Sequence, residues 1–175
     1  MAEARVVWHP AYIGVGSNLD DPVSQVMAAL DGLGRLPDSR LVAVSGLYRN
    51  PPMGPQDQPD YVNAAAGVLT QLSPESLLAA LQTLENRQGR IRTQGDRWGP
   101  RVIDLDLLVY GTCELQRPGL NLPHPGISER NFVLFPLRDI APRLSVPGQG
   151  VVEKLARQLN ADSLHAIDNQ TRQRA

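Results

Sequence analysis

Twice along this chain a capping side chain followed by proline opens a run of apolar residues at helical spacing, and these two starts set the order of everything around them. Asp21-Pro22 leads into Val23, Val26, Met27, Leu30 and Leu33, with Gly34 as the stop, and Ser73-Pro74 leads into Leu77, Leu78, Leu81 and Leu84. Strand composition flanks both. Residues 11–15 are β-branched and aromatic before the Gly16-Ser17-Asn18 turn, and residues 40–49 and 61–70 have the same character. Residues 101–110 alternate, with Ile103, Leu105, Leu107 and Val109 on one face and Asp104 and Asp106 on the other. The order β-α-β-β-α-β predicts an α+β fold, a ferredoxin-like core in which helices pack on an antiparallel sheet. Further C-terminal helices are expected at 128–137 and 151–159. Residues 1–160 then form one domain and residues 161–175 a weakly ordered tail.

The charge balance limits what such a domain binds. Seventeen Lys+Arg against 18 Asp+Glu give a formal charge of -1 and a pI near 6.3, which argues against general binding of nucleic acid or membrane surfaces. Any phosphate site must be local. No apolar run reaches the roughly 18–20 residues of a membrane span, and the start of the chain has no leader pattern, so a cytoplasmic protein is expected. At 175 residues there is no room for two independent catalytic domains, and a monomer is expected. The single cysteine, Cys113, cannot form an internal disulfide, and His9, His124 and His165 are too scattered for zinc.

The stretch 90–106 carries the chemistry. Arg90, Arg92, Arg97 and Arg101 meet one acid, Asp96, and then Asp104 and Asp106 fall on the same side of a strand, roughly 6.5–7 Å apart. Two carboxylates at that spacing can bracket one or two hard cations, and Mg²⁺ is the natural choice because it completes its shell with water and phosphate oxygens. Neighbouring guanidiniums grip phosphates with paired hydrogen bonds. A lone Asp-x-Asp more often lines a solvated strand face. Here Val102, Leu108 and Tyr110 share the aspartates' parity, so the acids form a polar island that is costly without a cation. Upstream, residues 50–60 hold four prolines, Pro51, Pro52, Pro55 and Pro59, which exclude a helix and stiffen a surface loop. Gly14-x-Gly16 lacks the third glycine of a dinucleotide fingerprint, and no phosphate-cradling Gly-Lys loop is present.

The stretch 97–108, Arg-Trp-Gly-Pro-Arg-Val-Ile-Asp-Leu-Asp-Leu-Leu, resembles the signature of the 6-hydroxymethyl-7,8-dihydropterin pyrophosphokinase family of the folate pathway. Gly16-Ser17-Asn18-Leu19, Tyr48-Arg49-Asn50-Pro51-Pro52, the run from Gly54 to Asn63 and Leu122-Pro123-His124-Pro125 resemble further family blocks in the same order, over roughly residues 11–160. The resemblance implies a ferredoxin-like enzyme that transfers pyrophosphate from ATP to a pterin alcohol, with two Mg²⁺ ions on Asp104 and Asp106. It implies Arg90 and Arg101 as catalytic residues, and Gln82, Glu85, Arg92, His124 and Arg130 on the ATP side. It further implies Tyr61 and Phe132 stacked on the pterin, Asn63 on its edge, backbone contacts from Asn50, Pro51 and Met53, and Trp98 on the neighbouring loop.

On their own these residues read more plainly. Tyr61 and Phe132 would be core, Gln82 and Glu85 a solvated helix face, and His124 an exposed loop residue between prolines. The chain departs from the family pattern at Asn50, where threonine is common, at Gly119 and Asn121, and at Gly95, which lengthens the arginine loop by one residue. The alternative from another class is a ferredoxin-like nucleotide- or RNA-binding module without catalysis. Such a module needs aromatics on its central strands and a basic surface, and this chain offers aspartates and a charge of -1.

Overall fold

The structure, a computed structural model, describes residues 6–91 and 99–168. Strand β1 (His9–Ser17) is followed by helix α1 (Pro22–Leu33), strands β2 (Ser39–Val44), β3 (Leu47–Asn50) and β4 (Tyr61–Thr70), helix α2 (Pro74–Arg87) and strand β5 (Asp104–Tyr110). Both proline starts are realised, though differently. Ser73 Oγ accepts from the Ser76 N–H as a side-chain cap. Asp21 sits at φ 59 and caps nothing; its carboxylate accepts from Ser24 Oγ instead.

The main sheet runs β3-β4-β1-β5, with β2 also on β4, and the pairings are antiparallel. With β2 and β3 counted as one bent strand, this is the ferredoxin-like order. One face carries Ile13, Val15, Ala64, Ala66, Leu105 and Leu107 against Val26, Leu30, Leu77 and Leu81 of α1 and α2. The other is closed by α3 (Asn131–Ile140) and α4 (Val152–Ala156), whose Val133, Leu134, Leu137 and Val152 pack with Ala65, Leu108 and Val109. An RNA-binding module would need that second face open.

Several boundaries differ from the sequence expectation for identifiable reasons. The strand expected at 40–49 is split, because at the bend the Gly46 N–H donates to Asp139 and the Ala65 N–H to Ser45 Oγ. The strand expected at 101–110 begins only at Asp104, since the backbone at Arg101 bonds with Asn18. Its alternation also breaks: Tyr12 faces Val109 but Ile13 faces Leu107, and this irregularity puts Leu108 and Val109 together on the α3 face while Tyr110 joins the α1–α2 core. The first C-terminal helix starts later than expected, after a 3₁₀ turn at Ile127–Glu129, and the second is a five-residue piece. Two small hairpins were not anticipated: β6 (Leu115–Arg117) with β7 (Leu120–Leu122), and β8 (Ser145–Val146) with β9 (Gly150–Val151). Within the expected tail, β10 (His165–Ile167) pairs antiparallel with β3, adding an edge strand to the main sheet. No helix of the described residues is long and apolar enough to cross a membrane.

Candidate active site

The register of the sheet builds the site. Gly16 lies opposite Asn63 on β4 and Asp104 on β5, and Gly14 lies opposite Ala65 and Asp106. Directly paired residues share a face, so two positions without side chains separate the acids from the Asn63 amide. A Cβ at Gly16 would stand 2.7 Å from Asn63 Oδ1, and one at Gly14 would meet Leu108 at 3.4 Å. The glycines that fail as a dinucleotide fingerprint are thus the floor of a trough. Above it opens a cavity of about 620 Å³ on the α3 side of the sheet.

At one end the charges converge. Asp104 takes the Arg90 guanidinium on Oδ1 and the Arg101 guanidinium on Oδ2, the latter at 2.8 Å. Arg90 also pairs with Glu85, whose Oε1 accepts from the Leu105 N–H at 2.7 Å. Glu85 is 1% exposed. Its expected place on a solvated helix face is therefore wrong: near the end of α2 it is folded under the start of β5, where burial without such partners would be costly. Burial alone would raise the Asp104 carboxyl, but the two guanidiniums outweigh it and hold it below the usual carboxylate range. Asp106 goes the other way. Burial, and then the neighbouring Asp104 charge, push its carboxyl up to about 7.

Two carboxylates on one face, one of them resisting ionisation, suit a hard cation. Among the described residues no cluster of three or more His, Cys, Asp or Glu converges, so a cation here would draw its other ligands from water and substrate oxygens. His124 lines the same cavity; its Nδ1 accepts from the Gly126 N–H at 3.1 Å, and burial followed by the nearby Arg130 charge lowers its pKa. That leaves it neutral near pH 7, with its proton on Nε2.

The other end is amide and aromatic. Asn63 Nδ2 donates to Asn50 Oδ1 at 2.6 Å, and Asn50 Nδ2 donates to the Pro51 carbonyl. Tyr61 and Phe132 both line the cavity with Met53, and the Tyr61 hydroxyl donates to the Gly99 carbonyl at 3.1 Å. Half-buried and facing a void, these rings are not the closed core their sequence context suggested. Gln82, Glu85 and Arg130 complete the wall on the acid side, so the fold brings the described candidates other than Pro51 into one cleft. Pro51 is set slightly apart, in an adjoining hollow with Asn50, Met53 and Phe132. Arg92 and Trp98 lie outside the described residues, as do Gly95 and Arg97. Sequence reasoning gave no role to Asn18, Gly16 or Gln58. Asn18 and its turn were visible only as part of a resembling block, and the partners that make Asn18 matter come from remote segments.

A ferredoxin-like α+β domain with an acid pair, arginines and an aromatic-amide pocket in one cleft is that of an enzyme acting on a polyphosphate and a flat, hydrogen-bonding ring. Comparison with known proteins narrows the class. Residues 12–142 match the model of the 7,8-dihydro-6-hydroxymethylpterin-pyrophosphokinase (HPPK) family, and the chain belongs to that family. It is 51% identical over 146 residues to the 2-amino-4-hydroxy-6-hydroxymethyldihydropteridine pyrophosphokinase of Pseudomonas aeruginosa, covering 83% of this chain and 89% of that one. The enzyme of the same name from Haemophilus influenzae is 47% identical over 148 residues, covering 85% and 91%. Among solved structures, wild-type Plasmodium falciparum HPPK-DHPS with pterin and p-hydroxybenzoate superposes with a TM-score of 0.66 at 14% identity, which supports the fold. The match covers 90% of this chain but only 42% of that one.

Proposed function

We propose that this protein transfers the β,γ-diphosphate of ATP to the hydroxymethyl oxygen of 6-hydroxymethyl-7,8-dihydropterin, giving the pterin diphosphate and AMP, a step of folate biosynthesis. The observation that carries this reading is the single cleft with paired acids and arginines at one end and an aromatic-amide pocket at the other. On the pterin side, Tyr61 and Phe132 hold the ring and the Asn63–Asn50 amide pair reads its polar edge, flanked by Pro51 and Met53, and Trp98 is assigned to the same substrate by the family resemblance. On the nucleotide side we assign Gln82, Arg92, His124 and Arg130 to ATP. Glu85 serves the same end from beneath, by fixing Arg90.

Asp104 and Asp106 are the residues that would hold Mg²⁺, and two such ions would neutralise and orient the phosphate oxygens. Arg90 and Arg101 neutralise Asp104; with substrate present the same guanidiniums would serve the phosphates, where developing charge strengthens their hydrogen bonds. The O–P bond forms at the β-phosphorus as the bridge to the α-phosphate breaks; the hydroxyl proton passes to solvent and AMP leaves with the bridging oxygen. Positioning and charge stabilisation supply the catalysis. We place the reaction in the cytoplasm, in a monomer without nucleic acid. The direct test is product analysis with Mg-ATP and the pterin alcohol. AMP and pterin diphosphate are expected, and Asp104→Ala should lower turnover at least roughly 10²–10³-fold with the fold intact. Formation of ADP, or no pterin-dependent AMP, would refute the reading.

A further inference from the structure

We infer that Asn18, at the turn after β1, is a positioning residue that joins the pterin side of the cleft to the Arg101 side, so that ordering one favours the other. The inference rests on the function proposed above. Asn18 is 1% exposed, and its side chain spends its donors and acceptor on two segments far apart in sequence. Nδ2 donates to Gln58 Oε1 at 3.1 Å and to the Pro59 carbonyl at 3.0 Å, both in the proline-rich loop. Oδ1 accepts from the Arg101 N–H at 2.8 Å, and the Asn18 N–H donates to the Arg101 carbonyl at 3.1 Å. Gln58 in turn donates to the Pro55 carbonyl, and both Gln58 and Arg101 line the cavity.

A second bond runs parallel to this joint. The Gly99 carbonyl accepts from the Tyr61 hydroxyl at 3.1 Å and from Arg101 Nε at 3.2 Å. The backbone that presents Arg101 is therefore held from below by Asn18 and from the side by a residue of the ring pocket. Gln58, Pro59, Gly99 and Arg101 all lie outside regular secondary structure, so no strand or helix ladder fixes them. The two halves of this side-chain joint can be separated: alanine removes both and leaves only the backbone bond to the Arg101 carbonyl, and aspartate keeps the acceptor and loses the donors. When pterin orders the proline-rich loop, the same amide holds Arg101 closer to its working position, and linkage makes the effect reciprocal.

The test measures pterin affinity by calorimetry with and without a non-hydrolysable ATP analogue and Mg²⁺. In the wild type the analogue should tighten pterin binding at least threefold; in Asn18→Ala the ratio should fall to within about twofold of one, and in Asn18→Asp it should also fall while Arg101-dependent kcat suffers less than in alanine. Either variant keeping the wild-type ratio, or a wild-type ratio of one, would overturn the inference alone. A wild type that binds neither ligand would overturn the functional reading with it. Should Asn18→Ala not fold, amide exchange on the wild type decides: pterin alone should slow exchange of the Arg101 N–H at least threefold, and an unchanged rate refutes the coupling.

Discussion

At the scale of single residues, the site is a set of opposed charges, and Asp106 shows it most directly. Its carboxyl titrates about 7 against 3.8 in the unfolded chain. A group that binds its proton more tightly when folded favours the fold below 3.8, and that contribution is lost as the pH climbs through 7. The metal-free Asp106→Asn protein should therefore be more stable than wild type at pH 8 by about 1–3 kcal/mol, and by clearly less at pH 5, where only the first part of that contribution has been lost. Urea unfolding at the two pH values checks this; a variant less stable at pH 8 would mean that the buried acid pair is already compensated. Turnover should be lost in the same variant, which separates what the residue does for the reaction from what it costs the fold. Tyr61 allows a second separation, since its ring faces the cavity while its hydroxyl holds Gly99. Tyr61→Ala should weaken pterin binding by the roughly 1–3 kcal/mol of ring stacking, and Tyr61→Phe should retain most of that affinity. Equal losses in calorimetry would assign the effect to the hydroxyl. The acids and arginines were legible in the sequence because their chemistry is unusual and locally spaced, whereas Tyr61 and Phe132 read as core on their own and were singled out only by the family resemblance. Asn18 was not, because an asparagine in a turn looks the same whether its amide faces water or two distant loops.

Between elements, the structure departs from sequence wherever a side chain or register shift competes with the local pattern. The proline starts and the long strand β4 were readable from spacing alone, since nothing contests them. The irregularity near Leu108 was not: alternation predicts Val109 beside Leu107, and one slipped pairing sends it to the α3 face. Glu85 was misplaced for a related reason. Its charge suggested a solvated face, yet it stands at i+4 and i+8 from Leu81 and Leu77 on the buried side of α2; there the end of α2 abuts β5, and the carboxylate closes an inter-element joint by accepting from both the Leu105 N–H and Arg90. Glu85→Ala leaves a buried N–H and a mostly buried guanidinium with one fewer partner, and should destabilise by about 2–4 kcal/mol. Glu85→Gln keeps the acceptor for Leu105 and should recover part of that in chemical unfolding, while kcat stays depressed because Arg90 is less firmly fixed. Full recovery of both would reduce Glu85 to a backbone peg.

Taken as a whole, the molecule is a ferredoxin-like sheet with both faces used: α1 and α2 cover one, and α3 and α4 cover the other except at the end where the cleft opens. The sequence order predicted the first layer and also two C-terminal helices; that these close the opposite face did not follow from it, because they are tied in through two- and three-residue strands that carry almost no pattern. The same weakness hid β10. His165, Ala166 and Ile167 pair with Arg49, Tyr48 and Leu47, and Ile167 packs against the main core, so the stretch assigned to a tail buttresses the strand that ends at Asn50. Removing residues 161–175 deletes that pairing and exposes the β3 edge beside the proposed pterin pocket. The truncated protein should lose about 1–3 kcal/mol of stability and bind pterin more weakly, with little change in its affinity for an ATP analogue, because the acid pair on β5 lies at the opposite side of the sheet. Stability and both affinities equal to the full-length protein would return the domain boundary to residue 160; a selective loss on the pterin side would extend the catalytic domain through Ile167.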